Sequence, residues 1–193
     1  MTDLITRLHL AVAALALLCV GTSFTSRAIA SEQAAWAALR EGAIVVFRHA
    51  NAPGIGDPQG FRLDDCATQR NLDAQGRDQA VKIGERFRRE QIAVTAVLSS
   101  VWCRAFDTAS LAFPGQVRRE PSFNSFFDDR GQQAAQTDAA RAILLGWSGP
   151  GTLVVVTHQV NMQALTGIGP ASAEGLVLRR EGEQLRIIGR ITP

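Results

Sequence analysis

The chain has 193 residues, with 20 basic and 18 acidic side chains, three histidines and a formal net charge of +2. Because this charge is nearly balanced, it does not predict binding to nucleic acid or to an anionic membrane surface. Its cysteines and histidines do not cluster with the spacing of metal ligands, and we therefore expect no metal site.

The first 30 residues have the pattern of a secretory signal peptide. Arg7 precedes an apolar stretch over residues 8–20, and Ala28-Ile29-Ala30 forms a small-x-small cleavage site. We expect cleavage after Ala30, a periplasmic or secreted location, and one domain over residues 31–193. The apolar stretch is shorter than the about 20 residues of a bilayer span, so we expect no stable membrane insertion after cleavage. An uncleaved anchor is the alternative.

Loss of the signal peptide removes Cys19 and leaves two cysteines, Cys66 and Cys103. An even pair of cysteines in an exported protein predicts a disulfide bond. In the chain-entropy account, closing the loop between them lowers the entropy of the unfolded chain and so stabilises the folded protein by roughly 3–4 kcal/mol. Two unpaired buried thiols are the alternative.

From residue 31 onward, short β-branched runs alternate with amphipathic segments. In chain order, the pattern predicts helices over residues 31–40, from 73 to about 89, from about 102, from about 132 to 145, and over 161–165. It predicts strands over 44–47, 94–98 and 153–156, an extended segment over 117–127, and a hairpin over 175–178 and 184–191. Such runs are typical of buried parallel strands, so we predict an α/β domain with a mostly parallel central sheet flanked by helices.

Polar side chains follow all three predicted central strands. They are Arg48-His49, Ser99-Ser100 with Arg104, and Thr157-His158. Ligands of open α/β sheets bind outside the carboxyl ends of the strands, so the pattern indicates an active site, and a Gly- and Pro-rich stretch over 51–70 predicts a long loop at its border. A histidine ring is a competent nucleophile toward phosphorus, and arginines neutralise the phosphoryl oxygens. The combination predicts phosphoryl transfer through a phosphohistidine.

Four segments resemble the successive motifs of the histidine phosphatase (phosphoglycerate mutase-like) superfamily. They are Arg48-His49-Ala50 and residues 70–80, 99–109 and 156–158, and the resemblance spans residues 43–167. It implies a three-layer sandwich with a mostly parallel central sheet between helices. It also implies an enzyme that needs no metal or organic cofactor.

The resemblance also implies roles for individual side chains. His49 would be the phosphorylated nucleophile, Arg48 and Arg104 would clamp the phosphate, and His158 would contact it as the second histidine of the pocket. Arg70 and Arg77 are candidate contacts for a second anionic group, with a solvent-exposed role as the alternative.

The motifs do not fix the proton donor to the leaving group. Gln159 follows the second histidine, where one branch of the superfamily has its acidic aspartate, so the resemblance excludes that branch's mechanism. Another branch uses a glutamate in the loop after the next extended segment, where this chain has Asp128 and Asp129. We predict Asp128 as the general acid, with Asp129 or Glu174 as alternatives. If the two aspartates are not catalytic, they belong to a solvated loop or cap the following helix.

These features predict an exported hydrolase of a small-molecule or envelope phosphomonoester. Exported members of the superfamily with similar length include phosphatases that resemble those acting on lipopolysaccharide core heptose phosphate, which makes an envelope or sugar phosphate the expected substrate. A protein of the same fold that binds a phosphorylated ligand without turning it over is the alternative. A structural envelope domain is a third interpretation, and it would require His49 and His158 to be incidental.

Overall fold

The computed structural model describes residues 32–193, so the predicted signal peptide and its cleavage site lie outside the described residues. The helices are α1 (Glu32–Arg40), α2 (Ala74–Arg89), α3 (Cys103–Ala112), α4 (Gln133–Leu145) and α5 (Gln159–Thr166). The strands are β1 (Ile44–Arg48), β2 (Val94–Ser99), β3 (Val117–Arg119), β4 (Thr152–Thr157), β5 (Gly175–Glu181) and β6 (Gln184–Ile191). Within this part of the chain, no helix has the length and apolar character needed to cross a membrane.

The strands form one sheet of six strands in the order β3-β2-β4-β1-β5-β6. Strands β3, β2, β4 and β1 are parallel to one another, and the hairpin of β5 and β6 adds two antiparallel strands beside β1. The three strands that precede the polar motifs are therefore neighbours, and their carboxyl ends meet at one edge of the sheet. The predicted mostly parallel sheet is confirmed.

The central strands β1 and β4 are buried on both faces because helices cover each face of the sheet. Along β1, Val45 and Phe47 point into a core cluster shared with α1, α2 and α3, while Ile44 and Val46 point into a second cluster shared with α4 and α5. A strand that is apolar on both faces reads as a continuous hydrophobic run, which is the pattern that the sequence shows for β1 and β4. The result is the predicted three-layer sandwich.

The start of α2 packs tightly against the chain that leaves β1. Asp73 caps the helix by accepting a hydrogen bond from the Gly76 N–H over 2.7 Å, and it also accepts one from the Asn51 side chain over 2.8 Å. A Cβ atom at Gly76 would lie 2.1 Å from the Asn51 carbonyl oxygen. Glycine at this position therefore lets the helix approach the backbone just beyond His49, which positions the loop at the border of the site.

The structure differs from the prediction over residues 117–127. Only Val117–Arg119 forms a strand, and a short 3₁₀ helix over Pro121–Phe123 follows it. Pro121 has no N–H to donate to a ladder, which is a reason for the strand to end there. The last helix is also longer than predicted, because α5 begins directly after His158.

Candidate active site

His49 and His158 follow the two central strands of the sheet, β1 and β4. Arg48 pairs with Thr157 at the carboxyl ends of these parallel strands, so the next residues emerge side by side. The His49 N–H donates to the Thr157 carbonyl over 2.9 Å, and the two imidazole rings lie 5.4 Å apart between their centroids. Both histidines are only 3% exposed. The sheet topology therefore places two buried rings in one site.

A cavity of about 140 Å³ opens at this edge of the sheet. Its lining residues are Arg48, His49, Gly54, Ile55, Gly56, Asp57, Arg70, Arg104, Ser125, Phe127, Asp128, His158, Gln159 and Val160. The cavity thus brings together six of the seven residues predicted for catalysis or substrate binding, and it leaves out Arg77. Within residues 32–193, no group of three or more histidine, cysteine, aspartate and glutamate side chains could hold a metal ion.

The His49 ring is oriented by the backbone of its own neighbour. Its Nδ1 atom lies 2.8 Å from the Ala50 carbonyl oxygen, and because a carbonyl only accepts, Nδ1 carries the proton and donates it. Burial and the charge of Arg104 lower the pKa of His49 to about 3, so the ring is neutral near pH 7. The lone pair of Nε2 is therefore free, which is the form of imidazole that attacks phosphorus.

The His158 ring is held by Ser100, which follows β2. His158 Nε2 and Ser100 Oγ lie 2.8 Å apart, and the Trp102 N–H donates to the same hydroxyl over 3.2 Å. His158 Nδ1 is buried and has no hydrogen-bond partner within the described residues. Burial and the charge of Arg104 lower the pKa of His158 well below its usual value. His158 is therefore a buried, neutral ring that lines the cavity together with His49.

Arg48, which is half-buried, and Arg104, which is buried, supply positive charge to the cavity. Arg48 Nη1 donates to the Pro170 carbonyl over 3.0 Å, which holds the guanidinium against the segment before β5. In the described part of the chain, the Nε atoms of Arg48 and Arg104 are both buried without a partner. Burial lowers the pKa of both arginines, but an arginine stays charged in a protein. Because both guanidinium groups line the cavity, their positive charge favours an anionic ligand.

Asp57 is a cavity residue that the sequence analysis did not single out. Its buried carboxylate accepts hydrogen bonds from Arg104 Nη1 at 2.8 and 3.0 Å, from the Trp102 indole N–H at 3.1 Å and from the Arg70 backbone N–H at 2.9 Å. The signal in the sequence is its place in the long loop over 51–70, which is expected to border the substrate. The loop composition does not tell which of its acidic residues turns inward.

Arg70 and Arg77 have different surroundings, although both were predicted as substrate contacts. Arg70 lines the cavity, and its guanidinium donates to the Gly56 carbonyl over 2.7 Å and to the Ala52 carbonyl. Arg70 therefore shapes the loop as well as adding charge. Arg77 is exposed on α2, where it interacts electrostatically with Asp107 and does not line the cavity. The structure does not support the prediction for Arg77, because the inward face of α2 leaves it on the solvent side.

The three candidate acids have different surroundings in the structure. Asp128 is exposed and lines the cavity. Asp129 caps the short helix Arg130–Gln132 by accepting a backbone hydrogen bond over 3.1 Å. Glu174 is buried, and its carboxylate accepts hydrogen bonds from a backbone N–H and from Arg190. Of the three, Asp128 is the one that lines the cavity, and the other two carboxylates have structural partners.

A disulfide bond joins Cys66 to Cys103, as the sequence analysis predicts. Cys103 is the first residue of α3, so the bond ties the long loop to the helical turn that carries Arg104. The Cys103 N–H also donates to the Gln69 side-chain oxygen over 3.0 Å. The covalent bond and the hydrogen bond together hold the loop that contains Asp57 and Arg70 against the start of α3.

Comparisons with known proteins bear on the fold. No protein-family model and no curated protein sequence matches the chain. Among solved structures, the protein histidine phosphatase SixA complexed with tungstate matches with a TM-score of 0.57 and 14% sequence identity, over 78% of this chain and 96% of SixA. The chain has the histidine phosphatase fold.

Two other structures with the histidine phosphatase fold match over similar lengths. A histidine-to-alanine variant of phosphoserine phosphatase from Entamoeba histolytica, in complex with phosphoserine, has a TM-score of 0.57 and 10% identity, over 77% of this chain and 96% of that chain. Mycobacterial glucosyl-3-phosphoglycerate phosphatase in complex with VO3 has a TM-score of 0.55 and 16% identity, over 76% of this chain and 97% of that chain. The fold implied by the sequence motifs is therefore confirmed.

Proposed function

We propose that the chain is a phosphomonoester hydrolase that works through a phosphohistidine on His49. The observation that carries this proposal is the cavity that Arg48, Arg104 and the two buried histidines His49 and His158 line together. The His49 imidazole is neutral in this cavity, and its Nε2 lone pair is free. A phosphoryl group bound in the cavity would be neutralised by the arginines and would present its phosphorus to the nucleophile.

The proposed reaction has two steps. In the first, the Nε2 lone pair of His49 attacks phosphorus, the bond from phosphorus to the ester oxygen breaks, and Asp128 gives its proton to the departing alkoxide. In the second, Asp128 takes a proton from water, the hydroxide attacks phosphorus, and the P–N bond breaks to release inorganic phosphate and restore neutral His49. Arg48 and Arg104 stabilise the charge on the phosphoryl oxygens in both steps.

Several observations support this assignment. The structures that share the fold include a protein histidine phosphatase, a phosphoserine phosphatase and a glucosyl-3-phosphoglycerate phosphatase, and they were solved with tungstate, phosphoserine and VO3. The disulfide bond between Cys66 and Cys103 is typical of a protein that folds outside the cytosol, which supports export. We therefore propose an exported enzyme acting on an envelope or sugar phosphate, with lipopolysaccharide core heptose phosphate as a specific candidate.

One observation favours a second function, which is binding of a phosphorylated ligand without turnover. Asp128 is exposed, whereas Asp129 and Glu174 have structural partners, so none of the three is a buried acid aimed at a leaving group. Without an acid, a phosphoryl group could still bind, but an alkyl phosphate would react slowly because its alkoxide would leave without a proton.

Replacing Asp128 and Asp129 separately by asparagine tests the assignment. We expect Asp128→Asn to lower kcat for an alkyl phosphate by a factor on the order of 10²–10⁴, with a smaller effect on an aryl phosphate, whose leaving group needs no proton. Asp129→Asn is the matched control, because asparagine also caps a helix. Equal turnover of the alkyl phosphate by both variants would discard Asp128. Binding of phosphate without turnover of either ester by the unmodified protein would establish the binding function.

A further inference from the structure

The size of the cavity shows that most of a substrate must lie outside it. A volume of about 140 Å³ is close to that of a protein cavity that takes one benzene molecule. It accommodates a phosphoryl group and little more, so the remainder of the ester must extend through the mouth. On one side of the mouth, Gly54, Ile55 and Gly56 offer no polar side chain.

The other side of the mouth continues into a surface groove. Phe127, Gln159 and Val160 line both the cavity and the groove, which runs on past Arg130, Gln133 and Gln163 between the start of α4 and helix α5. We call this surface the leaving-group groove. Because it starts at the mouth of the cavity, a group esterified to a bound phosphate has a direct path into it.

The side chains of the groove fit a hydroxylated group. A carboxamide both donates and accepts hydrogen bonds, so it pairs well with a hydroxyl, and the groove contains three of them, from Gln133, Gln159 and Gln163. In the described part of the chain, the carboxamides of Gln133 and Gln159 make no hydrogen bond, so they are free to bind a ligand. The Phe127 ring adds an apolar face of the kind that packs against the C–H groups of a sugar ring.

The charged side chains of the groove further limit the class of leaving group that it can bind. The Arg130 guanidinium lies 5.4 Å from the centre of the Phe127 ring, and none of the residues that line the groove is a carboxylate. A cationic leaving group would find no counterion there, whereas a neutral or anionic one would be accepted. The lining therefore favours a polyhydroxylated group that carries no amine.

We propose that the leaving-group groove binds the sugar of a phosphorylated sugar while the phosphate occupies the cavity. This inference rests on the proposed function and adds to it the class of the leaving group and the residues that recognise it. The carboxamides of Gln133 and Gln159 bind sugar hydroxyls, and Phe127 packs against the ring.

Glucose 6-phosphate and ethyl phosphate test the proposal, because both are phosphate esters of a primary alcohol and differ in the sugar. We expect the unmodified protein to have the higher kcat/KM for glucose 6-phosphate, mainly through a lower KM. Gln133→Ala should reduce this preference roughly tenfold, the effect of losing about one hydrogen bond, and leave ethyl phosphate unchanged. Gln184→Ala, an exposed glutamine at the start of β6, is the matched control.

The outcomes separate this proposal from the proposed function. Equal kcat/KM for the two esters, or a preference that Gln133→Ala leaves intact, would overturn the groove proposal while turnover of ethyl phosphate upholds the hydrolase. If neither ester reacts, calorimetric titration with glucose 6-phosphate and with inorganic phosphate decides. Gln133→Ala should then weaken binding of glucose 6-phosphate alone, and equal affinities in the variant and the unmodified protein would overturn the proposal.

Discussion

Asp57 and Arg104 form a buried ion pair at the edge of the cavity. Both oxygens of the Asp57 carboxylate contact Arg104 Nη1, and the two side chains are only 2% and 3% exposed. The carboxylate is also fixed by the Trp102 indole and the Arg70 backbone. Asp57 therefore orients the Arg104 guanidinium through Nη1. It also offsets one of the three arginine charges of the cavity.

Asp57→Ala is expected to lower the free energy of unfolding by about 3–5 kcal/mol, because removing one partner leaves the buried charge of Arg104 uncompensated. Urea denaturation measures this loss. Saturating inorganic phosphate should restore more stability to the variant than it adds to the unmodified protein, because the anion gives Arg104 a new partner.

Asp78→Ala is the control for this experiment, because Asp78 pairs with Lys82 on the exposed face of α2. An exposed pair of this kind contributes little to stability. A loss in Asp57→Ala no larger than that in Asp78→Ala would contradict the role assigned to Asp57.

The buried histidines predict how stability depends on pH. The pKa of His49 is about 3 in the folded protein and about 6.5 in the unfolded chain, and the pKa of His158 is also lowered on folding. As the pH falls below about 6.5, the unfolded chain therefore takes up protons before the folded protein does, so the free energy of unfolding decreases from pH 6.5 toward pH 3.

Urea denaturation at pH 7 and pH 5 measures this effect. The double variant His49→Gln/His158→Gln should lose less stability between these two values than the unmodified protein, because it lacks both buried histidines. The same loss in both proteins would show that the histidines do not stay neutral on folding.

The disulfide bond predicts a link between redox state and both stability and activity. Cys66 and Cys103 are 37 residues apart. In the chain-entropy account, closing a loop of this length raises the free energy of unfolding by about 4 kcal/mol. Reduction should lower the free energy of unfolding by up to this amount. It should also lower kcat/KM, because the bond holds the loop of Asp57 against the turn that carries Arg104.

The double variant Cys66→Ser/Cys103→Ser provides the control, because a reductant should have no further effect on it. Activity that is unchanged when the bond is reduced, as verified by mass spectrometry, would show that the remaining contacts, such as that of Gln69 with Cys103, hold the loop by themselves.

Much of the site could be predicted because it is built from the ends of strands. His49 and His158 each follow a strand with an uninterrupted apolar run, and parallel strands bring their carboxyl ends together. The role of Asp73 as a helix cap is equally local, since its partner lies three residues along the chain. Predictions of this kind depend on neighbours in sequence or on the general topology of α/β sheets.

The features that could not be predicted depend on contacts between distant segments. Asp57 lies 47 residues from Arg104 along the chain, and the loop that carries it has no periodicity to indicate which side chains turn inward. The prediction for Arg77 is not supported because the inward face of α2 is set by packing that includes the contact of Gly76 with Asn51. The sequence predicts Asp128 as the acid but leaves Asp129 and Glu174 as alternatives, because only the folded chain shows which carboxylate lines the cavity.

The most direct test of the account is to detect the phosphorylated intermediate. The purified protein is mixed with an aryl phosphate, quenched rapidly in base, in which phosphohistidine survives, and analysed by peptide mass spectrometry beside His49→Ala. The phosphohistidine mechanism predicts one phosphoryl group on His49 during turnover and neither phosphorylation nor phosphate release by the variant. Phosphate release by His49→Ala at the rate of the unmodified protein, or turnover with the phosphoryl group on another residue, would contradict it.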